Sequence, residues 1–165
     1  MGTGEQLFEQ LNKLRGSKTV IVGIGNTLKG DDGVGPLICH QLQLSKICAE
    51  IIDAGTVPEN YIQRIIKKTP KNLLIIDAVD FQAALGTIEI FRPERLNSTI
   101  FSTHTLSPRL FAEMVSRNIE VDVYFVGIQP AHTRLSDPMS PQVSQAARQL
   151  AQILIDVFPP MPSAS

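Results

Sequence analysis

The stretch Thr19-Val20-Ile21-Val22-Gly23-Ile24-Gly25-Asn26-Thr27-Leu28-Lys29-Gly30-Asp31-Asp32-Gly33-Val34-Gly35 decides the fold. Thr19–Ile24 is a short β-branched apolar run, with no polar alternation, that stops at Gly25. Such a run reads as a strand buried on both faces. The polar, glycine-rich segment behind it reads as a loop, and the pattern from about Val34 to Leu42 as a helix. A buried strand, a loop and a helix in that order open a parallel α/β domain.

Working outward, two more strands are predicted at Ile51–Asp53 and Leu73–Val79, with a helix over about Pro58–Lys67 between them. Thr69-Pro70 stops that helix. Only about Asp80 to Gly86 then separates the third strand from the alternating Thr87–Phe91. This is too short for a helical crossover, so the fourth strand is predicted to run antiparallel to a neighbour. A helix follows from about Pro108 to Arg117, with Ser107 as N-cap and Pro108 at its first position. Val121–Ile128 is the fifth strand. Ser140 and Pro141 open the last helix in the same way, and Val143, Ala147, Leu150, Leu154 and Val157 share one of its faces. Before the first strand, Leu7, Leu11 and Leu14 fall on one side of an N-terminal helix. The expected fold is therefore a three-layer α/β/α sandwich around a mixed, mostly parallel, twisted five-stranded sheet. Residues 1–158 would form one domain, and 159–165 a disordered tail.

The composition agrees with an ordinary globular domain: 165 residues, 43% hydrophobic and 19% charged. A net charge of −1, with Lys67-Lys68 as the one short basic run, argues against nucleic acid as a partner. No apolar run approaches the ~18 residues that cross a bilayer. MGTGEQLFEQLNKLRG has no signal-peptide core, and Gln6 stands where a myristoylation motif places Ser or Thr. A cytoplasmic protein without membrane insertion is expected. Cys39 and Cys48 form no CxxC, and both are read as reduced structural residues in apolar settings.

In open α/β sheets, ligands gather at the carboxyl ends of the parallel strands. The first strand leads to Asn26, Asp31 and Asp32, the second ends in Asp53-Ala54-Gly55, and the third in Asp77-Ala78-Val79-Asp80. His104 lies in Ser102-Thr103-His104-Thr105, before a helix. Gly23-x-Gly25 is similar to the start of a dinucleotide fingerprint. However, Leu28 replaces the third glycine, and two carboxylates repel a pyrophosphate. There is no phosphate-binding Gly-Lys-Ser/Thr, no Gly-x-Ser-x-Gly elbow and no His-Glu-x-x-His helix. His40 and His132 have no evident Ser or Cys partner and are read as incidental. Two carboxylates and an imidazole would suit a divalent first-row metal. From spacing alone, the same residue types more often serve as helix caps or turn formers at strand ends and as a solvated loop histidine.

Val22-Gly23-Ile24-Gly25-Asn26 followed by Gly30-Asp31-Asp32-Gly33-Val34-Gly35 resembles the opening of the hydrogenase maturation proteases. Asp53-Ala54-Gly55-Thr56-Val57-Pro58-Glu59-Asn60, Leu74-Ile75-Ile76-Asp77-Ala78 and Ser102-Thr103-His104-Thr105-Leu106 resemble their next three blocks. Phe125-Val126-Gly127-Ile128-Gln129-Pro130 and Pro138-Met139-Ser140 resemble the branch acting on hydrogenase-3-type enzymes. The matches run in order from about residue 19 to residue 158.

The resemblance implies a twisted five-stranded sheet between helices and a nickel site made by Asp32, Asp77 and His104. Some members of that family carry Glu at the position of Asp32. The activity implied is one cleavage that removes the C-terminal extension of a NiFe-hydrogenase large-subunit precursor after nickel insertion. Nickel would arrive with the substrate and serve as the recognition signal, and other divalent metals could substitute. Asp32 and Asp77 are the candidate catalytic residues, with water activated either by a metal or by one of these carboxylates. Asn26, Asp31 and Asp53 are candidates for binding substrate or supporting the site. For Asn26 and Asp31, turn formation is the competing role; for Asp53 it is capping the following helix. The chain is expected to act as a monomer. A nickel-delivery or sensing protein without peptidase activity would need the same ligands.

Overall fold

A computed structural model describes residues 3–95, 101–102 and 106–162 of the chain. Helix α1 (Thr3–Asn12) precedes β1 (Thr19–Ile24), and a 3₁₀ turn at Gly30–Gly33 leads into α2 (Val34–Leu44). β2 (Glu50–Gly55), a 3₁₀ turn at Pro58–Tyr61, α3 (Ile62–Lys68) and β3 (Asn72–Asp80) follow. The second half holds β4 (Ile88–Phe91), β5 (Phe101–Ser102), α4 (Pro108–Ser116), β6 (Asp122–Ile128) and α5 (Pro141–Val157).

The main sheet runs β2-β1-β3-β6-β4. The β1–β2, β1–β3 and β3–β6 pairs are parallel, and β4 pairs antiparallel with β6, as the short link before it requires. One strand is added to the expected five. The two-residue β5 pairs antiparallel with the end of β3, Val79 opposite Ser102 and Asp80 opposite Phe101. Two residues carry no periodicity, so no pattern could announce it.

Strand side chains alternate between two cores. Ile21, Leu74, Ile76, Val126 and Ile128 pack with α1, α2 and α5, while Val20, Val22, Leu73, Ile75 and Phe125 pack with α3 and α4. Val143, Ala147, Leu150, Leu154 and Val157 are all fully buried, so the face read on α5 is its core face. Leu7, Leu11 and Leu14 are buried in the same layer. Burying one such leucine stabilises the fold by roughly 1.5–3 kcal/mol, which is why α1 stays docked despite its ten residues.

Three local expectations need correction. The helix expected from Pro58 starts as a 3₁₀ turn and becomes α-helical at Ile62. Cys39 is buried, but Cys48 is exposed, because the turn after α2 sends Ile47 inward and the next residue out. Ser140 occupies the N-cap of α5 without capping it through its side chain. Ser107 does cap α4, its hydroxyl accepting the Leu110 N–H at 3.4 Å.

The strand order sets where a site can form. From β1 the chain passes through α2 to β2 on one side, then through α3 to β3 on the other side of β1. The carboxyl ends of β1 and β3 therefore flank a topological switch point, where the connections diverge and leave a crevice.

Candidate active site

Two buried carboxylates stand at that switch point. Asp32 lies in the 3₁₀ turn just beyond β1 and is 2% exposed; Asp77 lies on β3 and is 1% exposed. Pairing of β3 with β1 ends at Gly23 opposite Ile76, so Asp77 is the first residue of β3 beyond the paired stretch. On the other side Asp77 is in register with Gly127 of β6. Charged residues are seldom enclosed without a reason, and one in the turn after β1 with another on the neighbouring β3 make this the chemically distinctive part of the molecule.

Local backbone geometry places Asp32. The Asn26 N–H donates to Asp32 Oδ2 at 2.9 Å, so the loop closes over the carboxylate. Gly25 makes that closure possible: its φ is +153°, and a Cβ there would run into the Asp32 carbonyl oxygen. The Asn26 side chain has the turn-forming role, its Oδ1 accepting the Leu28 N–H at 2.9 Å. The Asn26 contact with Asp32 is made by its backbone.

Asp31 is fully buried and faces another part of the chain. Its Oδ2 accepts the N–H groups of Ala131 and His132 at 2.8 and 2.9 Å and the Ser140 hydroxyl at 2.8 Å. Its Oδ1 accepts the Ser140 N–H at 2.6 Å. Burial works against this charge, but the His132, Ala131 and Ser140 amides and the Ser140 hydroxyl together hold the carboxyl below its ordinary 3.8. The Ser140 hydroxyl is thus committed to Asp31 and leaves the first turn of α5 uncapped.

Asp53 is exposed on β2, and its Oδ1 accepts the Gly55 N–H at 3.1 Å. It closes the turn at the strand end and caps no helix; the 3₁₀ turn that follows has Val57 at its N-cap. His104 lies outside the described residues. Among the described residues, no group of three or more His, Cys, Asp or Glu is placed to hold a metal ion.

Gln129 is a positioning residue to which sequence reasoning gave no role. It is buried at the end of β6, and its Oε1 accepts the Phe81 and Ala83 N–H groups at 2.9 and 3.1 Å. Its Nε2 donates to Asp80 Oδ1 at 3.0 Å and to the Pro130 carbonyl at 3.3 Å. All four hydrogen-bonding positions of the amide are used, fixing the chain just beyond Asp77. The Gln129 side chain, then the Gln82 N–H, hold the Asp80 carboxyl below its ordinary value. The signal available in the sequence was a polar residue ending an apolar strand.

Fold and site define a doubly wound α/β protein with two buried carboxylates, Asp32 and Asp77, at its switch point. The family model described as hydrogenase maturation protease matches residues 38–157. The hydrogenase 3 maturation protease of Escherichia coli (strain K12) is 32% identical over 137 residues, covering 82% of this chain and 87% of that protein. The NiFe hydrogenase maturation protease HycI from Thermococcus kodakarensis KOD1 superposes with a TM-score of 0.83 at 28% identity. That match covers 90% of this chain and 97% of the other. The hydrogenase maturating endopeptidase HybD from E. coli shares the fold, with a TM-score of 0.66 at 24% identity, over 85% of this chain and 91% of that one. The chain belongs to the hydrogenase maturation protease family and is a peptidase. Among its described residues, no helix is long and apolar enough to cross a membrane.

Proposed function

We propose that this peptidase removes the C-terminal extension of a NiFe-hydrogenase large-subunit precursor once nickel has been inserted, in the cytoplasm and as a monomer. The observation that carries the reading is the enclosure of Asp32, in the turn that follows β1, and of Asp77, beyond the β1–β3 pairing on β3. Their carboxylates are oxygen donors of the kind a divalent first-row metal accepts beside softer ligands. His104 is proposed as the third donor. Nickel belongs to the substrate in this reading, and these side chains complete its coordination.

This arrangement makes the metal a specificity signal. Binding energy from completed coordination is available only to a loaded precursor, so an empty one docks without being positioned for cleavage. Other divalent metals of similar ligand preference would substitute. Hydrolysis also needs a group to take a proton from the attacking water and one to protonate the departing amine. Paired carboxylates can divide those roles. Asp32, held on one oxygen by the Asn26 N–H, and Asp77, held by the strand register, are the two groups assigned to them.

The test is cleavage of the cognate precursor, loaded with nickel or empty, by the wild type and by Asp77→Ala. The expected result is shortening of the loaded precursor by the wild type alone. Equal shortening of loaded and empty precursor would remove nickel as the signal. Tight binding of loaded precursor by the wild type without shortening would favour nickel delivery.

A further inference from the structure

Leu28 and Leu135 are 66% and 65% exposed, yet both stand on backbone that is pinned. The Ser136 N–H donates to the Leu28 carbonyl at 2.8 Å, which joins the loop after β1 to the loop after β6 beside both leucines. The Asp31 N–H donates to the His132 carbonyl at 2.6 Å. Gly30, at φ +54°, leaves that carbonyl the space a Cβ would take. The Asp31 carboxylate then gathers Ala131, His132 and Ser140, as described above.

Single exposed leucines are common and need no explanation. A pair held at the surface by a buried carboxylate is different, because the fold fixes apolar area where water meets it. The loop that carries Leu28 is tied to the candidate active site: Leu28 and Asp32 share it, and the Asn26 side chain that receives the Leu28 N–H belongs to the residue whose own N–H reaches Asp32.

We infer that Leu28 and Leu135 form an apolar ledge that seats aliphatic or aromatic side chains of the precursor segment next to the bond to be cut. The inference rests on the proposed precursor cleavage and adds the surface that receives the polypeptide. Nickel coordination would report that the precursor is loaded, and the ledge would set which stretch of chain lies across the carboxylates.

Leu44 supplies an internal control. It is 71% exposed but ends α2, which starts beside the site and runs back to the opposite edge of the sheet. KM and kcat for shortening of the nickel-loaded precursor would be measured for the wild type, Leu28→Glu, Leu135→Glu and Leu44→Glu, with Leu28→Ser and Leu135→Ser as milder forms. Each ledge variant is expected to raise KM roughly tenfold, the scale of one leucine's lost burial against a partner. The corresponding kcat should stay within about twofold, because uniform binding is what is lost. Leu44→Glu should leave both constants unchanged. An unchanged KM in the ledge variants, or the same rise in Leu44→Glu, would overturn the ledge while leaving precursor cleavage intact. A wild type that does not shorten the precursor would overturn the cleavage reading itself, and the ledge with it.

Discussion

The Asp31 carboxylate takes both the amide and the hydroxyl of Ser140, at 2.6 and 2.8 Å, across 109 residues of sequence. An N-cap serine ordinarily turns its hydroxyl toward the first-turn amides of its own helix. Here the hydroxyl is diverted, and the start of the 17-residue α5 is tied to the residue preceding Asp32. The segment that carries a candidate catalytic carboxylate is thereby anchored to the longest helix of the fold, and the anchor is a neighbouring carboxylate with a different task.

Asp31→Asn is expected to destabilise the fold by about 3 kcal/mol, the order of one or two hydrogen bonds to a charged acceptor. An amide can match Oδ2 or Oδ1 but not both, so one N–H group would face another. The pH dependence follows from the depressed carboxyl. Its contribution is full above the ordinary carboxylate value and is lost as pH falls through the lower folded value. The gap between wild type and Asp31→Asn should therefore narrow as pH is lowered from about 5 to about 2, measured by urea unfolding at each pH. A gap independent of pH would show that the charge is not what the anchor uses.

Gln129→Glu should cost roughly 2–3 kcal/mol, because it replaces the amide that donates to Asp80 with a second carboxylate oxygen. The side chain is nearly isosteric and still accepts from Phe81 and Ala83. Packing is thus kept while the donor is removed. Adding Asp80→Asn restores a donor facing the new carboxylate and should recover part of the loss. A double-mutant cycle by urea unfolding checks this; strictly additive effects would mean that the two side chains do not work as a pair.

How much was legible in the sequence depended on how local each signal was. β1 matches its predicted limits because a six-residue apolar run bounded by Gly25 has one reading. Strand ends are visible in the sequence, and the sheet rule gathers Asp31, Asp32, Asp53 and Asp77 at one edge; the choice of Asp32 and Asp77 among them came from the family resemblance, not from any local pattern. The partners of Asp31 lie about a hundred residues away, and no local pattern links a buried carboxylate to the amides that will receive it. Gln129 was hidden for the same reason, since its role depends on Phe81, Ala83 and Asp80 being folded back toward it. Cys48 was misread because its neighbours Ile47 and Ala49 are apolar, while burial alternates with the turn of the chain.

The two thiols are expected to differ sharply in reactivity. Burial, then the nearby Asp53 charge, push the Cys39 thiol up to about 12, so at neutral pH it is protonated as well as inaccessible. Cys48 is exposed. Iodoacetamide treatment of the native protein near pH 8 should label Cys48 alone, with Cys39 labelled only after unfolding, as read by peptide mass mapping. Equal labelling of both in the native state would mean that the layer between α2 and the sheet opens readily.

Asp32→Asn separates the charge at the switch point from its shape. The amide oxygen can still accept the Asn26 N–H, and the side-chain volume is unchanged, so stability should stay within about 1 kcal/mol of wild type. Precursor shortening should nevertheless fall by at least ~100-fold if the carboxylate acts as proton acceptor or metal ligand. Asp32→Glu restores the charge with one more methylene and should recover measurable activity in the same gel assay, despite crowding in a turn that is buried throughout. Full activity in Asp32→Asn would overturn the role of this carboxylate and leave Asp77 as the acid on which the site depends. Loss in both variants with folding intact would mean that the position of the carboxylate matters as much as its charge, as expected where Gly25 lets the loop close directly over it.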